Sequence, residues 1–319
     1  MKILSAVSLN DKLLSEMKKE FPNYKYEKYI EKLDDTGYME DVEVQVTYGP
    51  DVTAERLDKM PALKWIHVMQ SGLNSIPFNE LIKRGIILTS SKGINSVTIA
   101  EYTIGMMLNI IRNSFVYYDA QKRNEWDVNT NLDELKGKTL GILGYGSVGV
   151  ELAKRAKPFD MKIIATKRNF EENLMNVDKI VKMEDVEYIF KESDFVISLL
   201  PETPETKGLI SEKEIAMMKS TACLINVSRS RIVDESALVK ALENGTIGSA
   251  VLDVFDEEPL PENNKLWNVK NLLITPHIAG DRHPNYKTRA FEILFENLKK
   301  YTNNKQDEMI NIIDKSQGY

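Results

Sequence analysis

Three polar residues stand just beyond apolar runs that read as β-strands, and their types suit one chemistry. Arg229 follows the run Ala222 to Val227, Glu258 follows Ser249 to Val254, and His277 follows Leu272 to Thr275. In an open parallel sheet, ligands sit outside the carboxyl ends of the strands, so these three side chains can converge on one crevice. A guanidinium matches a carboxylate with two parallel hydrogen bonds and can polarise an adjacent carbonyl. A glutamate beside a histidine favours the imidazolium, which keeps a proton available for an alkoxide forming at a reduced carbon. Each residue alone also has a plainer reading: Arg229 as a loop cation, Glu258 as part of an acidic run, His277 as a strand-end side chain. Arg231 and Glu257 read as structural or solvated, and His283 is a weaker rival to His277.

The partner for such a trio is a hydride donor, and the chain carries a site for one. Gly144-Tyr145-Gly146-Ser147-Val148-Gly149 follows the apolar strand Leu140 to Leu143 and opens a helix over Val150 to Lys157, which Pro158 helps to end. The first glycine allows a tight turn, the second lets a pyrophosphate approach the backbone, and the third lets helix and strand pack closely. The helix N-terminus then offers free N–H groups and positive partial charge to the phosphates. The next strand ends Ile164-Ala165-Thr166-Lys167-Arg168, with no Asp or Glu to accept bonds from a ribose diol. Thr166, Lys167 and Arg168 suit a 2′-phosphate instead, so NADP(H) is preferred over NAD(H) as the cofactor.

Composition narrows the remaining classes. The 319 residues suffice for two domains, and 42% hydrophobic with 28% charged residues is a globular balance. A net charge of −6 leaves no basic footprint, so no nucleic acid is expected as a partner. The single cysteine, Cys223, cannot close an intrachain disulfide and sits in an apolar run, which favours a reducing, cytoplasmic setting. The apolar start, Ile3 to Val7, is too short for a signal peptide, and no apolar run reaches membrane-spanning length, so no membrane is expected. The three histidines, His67, His277 and His283, have no metal-ligand spacing, and no metal is expected.

Strand-like runs at Lys2 to Val7, Val42 to Tyr48, Leu63 to Val68 and Ile86 to Thr89 alternate with helical stretches such as Asp11 to Glu20. That rhythm predicts a parallel α/β sheet. A long apolar helix is predicted from residue 98, where Thr98-Ile99-Ala100-Glu101 has the spacing of a capping box. Its apolar residues on several sides predict a helix sandwiched between two domains. Six further strands follow, Thr139 to Leu143, Lys162 to Thr166, Asp194 to Leu200 and the three already named, which predicts a doubly wound sheet. An amphipathic helix over Thr288 to Tyr301 precedes a polar tail. The division implied is a discontinuous substrate domain, 1–97 plus 286–319, and a dinucleotide-binding domain, 98–285.

Taken with these motifs, the sequence resembles the D-isomer-specific 2-hydroxyacid dehydrogenase family over nearly its whole length, closest to its glyoxylate/hydroxypyruvate reductase subgroup. The motifs that carry the resemblance are Leu135 to Thr139, Leu200 to Thr206, Asn226 to Arg229 with Val233 to Leu238, Leu252 to Phe255 with Glu258 to Pro261, and Thr275 to Gly280. The resemblance implies a Rossmann cofactor domain beside a flavodoxin-like substrate domain, a likeness that extends to usual dimers. It places Arg229, Glu258 and His277 on the family's catalytic positions and Asp253 on the one that contacts the nicotinamide carboxamide. It assigns Leu200, Pro201, Thr206, Val227, Ser228 and Gly280 to the cofactor. The loop Gln70 to Asn74, with Ser71, Gly72 and Leu73, falls on the segment whose backbone amides hold the substrate carboxylate, and the helix near 98 on the hinge. Ser230 stands where the family usually has glycine, and Lys167 where NAD-using members have aspartate.

The implied reaction is reduction of a small 2-oxo acid, of glyoxylate or hydroxypyruvate type, to the D-2-hydroxy acid by NAD(P)H. D-3-phosphoglycerate oxidation is the nearest rival, against which stands the lack of room for an added regulatory domain. Formate-using relatives carry an amide in place of Glu258. A cofactor-sensing binding protein of the same fold stays open as a rival from another class.

Overall fold

Short runs of alternating or continuous apolar residues separated by amphipathic stretches build two parallel sheets, each covered by helices. The computed structural model describes residues 2–9, 11–28, 39–73, 75–128, 131–280 and 285–316. The chain divides into two compact units, Met1–Asn95 with His283–Tyr319, and Ser96–Arg282.

The first unit runs β1 (Lys2–Ser5), α1 (Asp11–Glu20), β2 (Lys25–Lys28), β3 (Val42–Thr47), α2 (Ala54–Asp58), β4 (Trp65–Val68), α3 (Phe78–Lys83) and β5 (Ile87–Ser90). Its strands lie in the order β2-β1-β3-β4-β5, all parallel, which is the flavodoxin-like order. Because side chains alternate across a strand, Ile3, Val44 and Trp65 face one cluster while Leu4, Ile66 and Leu88 face the other.

The second unit runs α4 (Ser96–Ile111), α5 (Ser114–Lys122), β6 (Thr139–Leu143), α6 (Ser147–Ala156), β7 (Lys162–Thr166), β8 (Lys179–Val181), α7 (Glu187–Glu192), β9 (Phe195–Ser198), α8 (Glu212–Ala216), β10 (Cys223–Asn226), α9 (Glu235–Glu243), β11 (Ser249–Leu252) and β12 (Leu272–Ile274). Its seven parallel strands take the order β12-β11-β10-β9-β6-β7-β8, the doubly wound Rossmann arrangement with one strand added. Helices α4 and α6 bury Ala100, Ile104, Met107, Leu152 and Ala153 against one face, and α7, α8 and α9 bury Phe190, Ile215 and Leu238 against the other. The last helix, α10 (Tyr286–Thr302), returns to the first unit, where Phe291, Leu294 and Leu298 join the cluster with Ile3 and Trp65.

The structure corrects the predicted start of α4 and adds two strands. Helix α4 begins at Ser96, so Thr98 lies within its first turn and is not an N-cap. The Thr-x-x-Glu spacing is short enough to recur inside a helix that starts earlier. Strands β2 and β8 escaped the pattern reading because each is a short, lysine-bearing edge strand that bonds one neighbour and needs no apolar alternation. No helix among the described residues is long and apolar enough to cross a membrane.

Candidate active site

The carboxyl edge of the seven-stranded sheet is flush. Val181, Thr166, Leu143, Ser198, Asn226, Leu252 and Ile274 each end a strand, and they are register partners in one row. The sequence-selected residues of this unit lie at or just past that row, as the register of β10, β11 and β12 dictates.

At its centre, Gly144 turns the chain out of β6 with φ +99, in the left-handed region that favours glycine. A Cβ on Gly149 would lie 3.0 Å from the Gly144 carbonyl oxygen, so α6 can sit this close to β6 only without a side chain there. Gly146 is the N-cap of α6 and supplies no side-chain cap, and a Cβ built on it would meet nothing within 4 Å. The helix N-terminus with Ser147 and Val148 therefore opens onto free space, an arrangement suited to phosphate. Thr166 is fully buried; its hydroxyl accepts the Gly144 N–H at 3.0 Å and its carbonyl accepts the Tyr145 N–H at 2.6 Å. Its observed contacts thus hold the loop from beneath. Lys167 is half-buried and paired with Glu171 at 2.6 Å, while Arg168 is exposed. The Glu205 carboxyl is held below its usual range by the Thr203 hydroxyl first, with Arg168 adding a smaller attraction. Leu200 is buried and Pro201 exposed, and the Thr206 hydroxyl closes their loop by donating to the Pro201 carbonyl at 2.6 Å.

Past β10, Val227 and Ser228 are buried and Arg229 emerges with extended backbone. The Asn226 amide donates to the Arg229 carbonyl at 2.9 Å, and the Ser228 hydroxyl donates to Asn226 Oδ1 at 2.9 Å. Ser228 has then used its only proton, so the Ser198 hydroxyl, 2.7 Å away, donates to Ser228. From sequence Asn226 enters only as the start of the Asn226 to Arg229 motif, with no role of its own, and Ser198 is not singled out. The Arg229 guanidinium donates to the Ser228 carbonyl at 2.7 Å. Ser230 opens a 3-10 turn, Ser230–Ile232, without a positive φ, so a side chain is accommodated where glycine is usual. Arg231 is more than half exposed, within 3.7 Å of Glu202 and 4.0 Å of Asp256.

His277 and Glu258 meet. His277 Nδ1 lies 2.8 Å from Glu258 Oε2, and Glu258 Oε1 accepts the Phe255 N–H at 2.9 Å. Burial works to raise the Glu258 pKa, but the bonds from His277 and Phe255 and the charges of His277 and Arg229 outweigh it, leaving the carboxyl below its usual range. An ionised Glu258 accepts the bond from Nδ1–H and so orients the ring. Asp253 is 1% exposed, and its Oδ1 accepts the Thr275 hydroxyl at 2.5 Å and the Ile278 N–H at 3.0 Å. Its Oδ2 accepts the Ala279 N–H at 2.9 Å, fastening the segment that carries His277 and leads to the half-buried Gly280. His283 lies outside the described residues.

The loop assigned to the substrate carboxylate belongs to the first unit. Gln70 donates to the Tyr48 carbonyl at 2.8 Å, the Ser71 hydroxyl to the Ser91 carbonyl at 3.4 Å, Gly72 is half-buried and Leu73 is buried in the core; Asn74 lies outside the described residues. Beneath it, His67 is fully buried, with Nδ1 2.8 Å from the Thr89 hydroxyl and Nε2 3.2 Å from that of Ser91. Trp65 Nε1–H donates to the same Thr89 hydroxyl at 2.8 Å, so the three side chains share one buried network. Burial pushes the His67 pKa down to about 3, so it is a neutral structural ring.

Comparison with known proteins identifies the family. A profile of the D-isomer specific 2-hydroxyacid dehydrogenase NAD binding domain matches residues 104–279. The glyoxylate reductase of Thermococcus litoralis is 39% identical over 272 residues, covering 82% of this chain and 80% of that one. The D-3-phosphoglycerate dehydrogenase of Methanocaldococcus jannaschii is 34% identical over 275 residues, covering 86% of this chain and 51% of that protein. Among solved structures, a D-isomer specific 2-hydroxyacid dehydrogenase family protein of Aeromonas salmonicida superposes with a TM-score of 0.84 at 27% identity, covering 98% of this chain and 99% of the other. The chain belongs to the D-isomer specific 2-hydroxyacid dehydrogenase family. It is an NAD(P)-dependent oxidoreductase that reduces a 2-oxo acid.

Proposed function

We propose that the physiological type of substrate is glyoxylate or hydroxypyruvate, reduced with NADPH in preference to NADH. The observation that carries the chemistry is the 2.8 Å contact between His277 and Glu258, with the charge of Arg229 acting on the same carboxylate. When bound, the reduced nicotinamide supplies the hydride. His277 gives its Nε2 proton to the oxygen at C2, Glu258 holds the ring and the positive charge, and Arg229 grips the substrate carboxylate and polarises the carbonyl. Asp253 keeps an acceptor site on Oδ2 for the carboxamide, since one N–H occupies that oxygen. For Ser71, Gly72 and Leu73 the proposed role is substrate binding through backbone amides. Gly144 to Gly149 hold the pyrophosphate, and Leu200, Pro201, Thr206, Val227, Ser228 and Gly280 line the rest of the cofactor.

The names of the glyoxylate reductase relatives support the substrate class. The cations Lys167 and Arg168, with no acid at that strand end, support NADPH, whereas the buried Thr166 holds the glycine loop and does not reach the phosphate. Glu171 tempers that preference by competing for Lys167. A homodimer fits the exposed apolar side chains of α5 and the segment after it, Phe115, Val116, Tyr118, Trp126, Val128 and Leu132. A reducing cytoplasm fits Cys223, which is buried, with its thiol pushed up to about 12 by desolvation. The test is a panel of 2-oxo acids assayed with NADPH and NADH in parallel. Glyoxylate and hydroxypyruvate should lead, and NADPH should be preferred by about tenfold, the worth of one solvent-screened charged hydrogen bond. Equal or better use of NADH would remove the phosphate role of Lys167 and Arg168 and leave the rest standing.

A further inference from the structure

One chain of hydroxyls behind the proton site has no part in the reaction as described. The Tyr102 hydroxyl, on α4, lies 2.6 Å from the Thr275 hydroxyl, which donates to the buried Asp253 carboxylate at 2.5 Å. Thr275 has a single proton and gives it to the carboxylate, so Tyr102 must be the donor to Thr275. The bonds therefore run one way, from Tyr102 through Thr275 to Asp253, whose two oxygens also hold the Ile278 and Ala279 amides at 3.0 and 2.9 Å. Between Thr275 and Ile278 stands His277 with φ +52, a left-handed backbone that a residue with a side chain keeps only where its surroundings over-determine it.

We propose that Tyr102 is a positioning residue for His277, setting through Thr275 and Asp253 the backbone that aims the imidazole between Glu258 and the substrate. The proposal rests on His277 as the proton donor. Its hydroxyl also suits the task chemically: burial first, then the charge of Asp253, push the Tyr102 pKa up to about 12 against the opposing bond to Thr275, so the donor stays protonated.

The test is the steady-state rate and pH profile of Tyr102→Phe, Thr275→Val and the double variant, measured beside His277→Ala. Losing one buried neutral hydrogen bond, Tyr102→Phe should lower kcat about three- to tenfold. The KM for NADPH should stay within about twofold, which separates loss of positioning from loss of cofactor binding. The pH profile of kcat should change as the His277–Glu258 contact loosens. In the Thr275→Val background the same change should cost less than about twofold, because the acceptor is already gone. Parent kcat and an unmoved pH profile in Tyr102→Phe, or an equal loss in both backgrounds, overturns the proposal. Should Tyr102→Phe fail to accumulate, Thr275→Val must by itself lower kcat and change the pH profile, and parent behaviour there overturns the proposal equally. If His277→Ala turns over normally, the reading of His277 falls and this proposal with it. If His277→Ala is inactive and Tyr102→Phe unchanged, only the positioning role falls.

Discussion

The phosphate loop and the proton site lie past the same flush row of strand ends, but they are assembled differently. Gly144 to Gly149 are neighbours in sequence, and each does its work through local backbone: a positive φ, an absent cap, a close helix-to-strand approach. The proton site takes Arg229, Glu258 and His277 from beyond three different strands, brought into one neighbourhood because Asn226, Leu252 and Ile274 are register partners. A local site fails by losing the conformation of one turn. A distributed site fails one contact at a time, and each contact has its own kinetic signature.

The largest effect should be on the distributed site. His277→Ala should lower kcat by at least about a hundredfold, the usual worth of positioned acid catalysis, with cofactor affinity nearly unchanged. Fluorescence titration with NADPH beside turnover measures both. In the local site, Gly149→Val should instead weaken NADPH and NADH together by about tenfold and lower the melting temperature, since a side chain there overpacks against the Gly144 carbonyl. If Gly149→Val impaired only kcat, the division between the two sites would be wrong. A smaller change is expected from Glu258→Gln. Burial raises the Glu258 pKa, but its bonds to His277 and the Phe255 N–H outweigh it, so the carboxyl stays ionised until the pH falls below the ordinary carboxylate range. Replacing it by an amide removes the charge-assisted bond to the ring, so kcat should fall about tenfold, and the loss of rate that the parent shows as pH falls through the lowered Glu258 pKa should be absent. The smallest effect belongs to the cofactor's phosphate end. Glu171→Gln frees Lys167 from a half-exposed ion pair, so NADPH preference should rise only about twofold, and less in high salt. An unchanged preference at low salt would separate Lys167 from the phosphate.

The same contrast decides what the sequence could show. The glycine loop was readable because a contiguous motif between a strand and a helix has one backbone solution. Arg229, Glu258 and His277 were readable as strand-end residues because parallel register brings such ends together. The bonds that hold them were not. Tyr102 reaches Thr275 across 173 positions, and Ser198 reaches Ser228 across 30, distances over which no periodicity speaks. The start of α4 at Ser96 was missed for the opposite reason, a local capping pattern taken at face value inside a longer helix. Strands β2 and β8 lacked apolar alternation because edge strands do not require it.

The central claim is that hydride and proton add across the C2 carbonyl of a 2-oxo acid at the His277–Glu258 site. The direct measurement is reduction of hydroxypyruvate by NADPH carrying deuterium at both C4 positions, with chiral and isotopic analysis of the glycerate formed. The account predicts D-glycerate with one deuterium at C2 from the parent protein, and almost none from His277→Ala. L-glycerate, product without deuterium at C2, or equal yield from His277→Ala would contradict it.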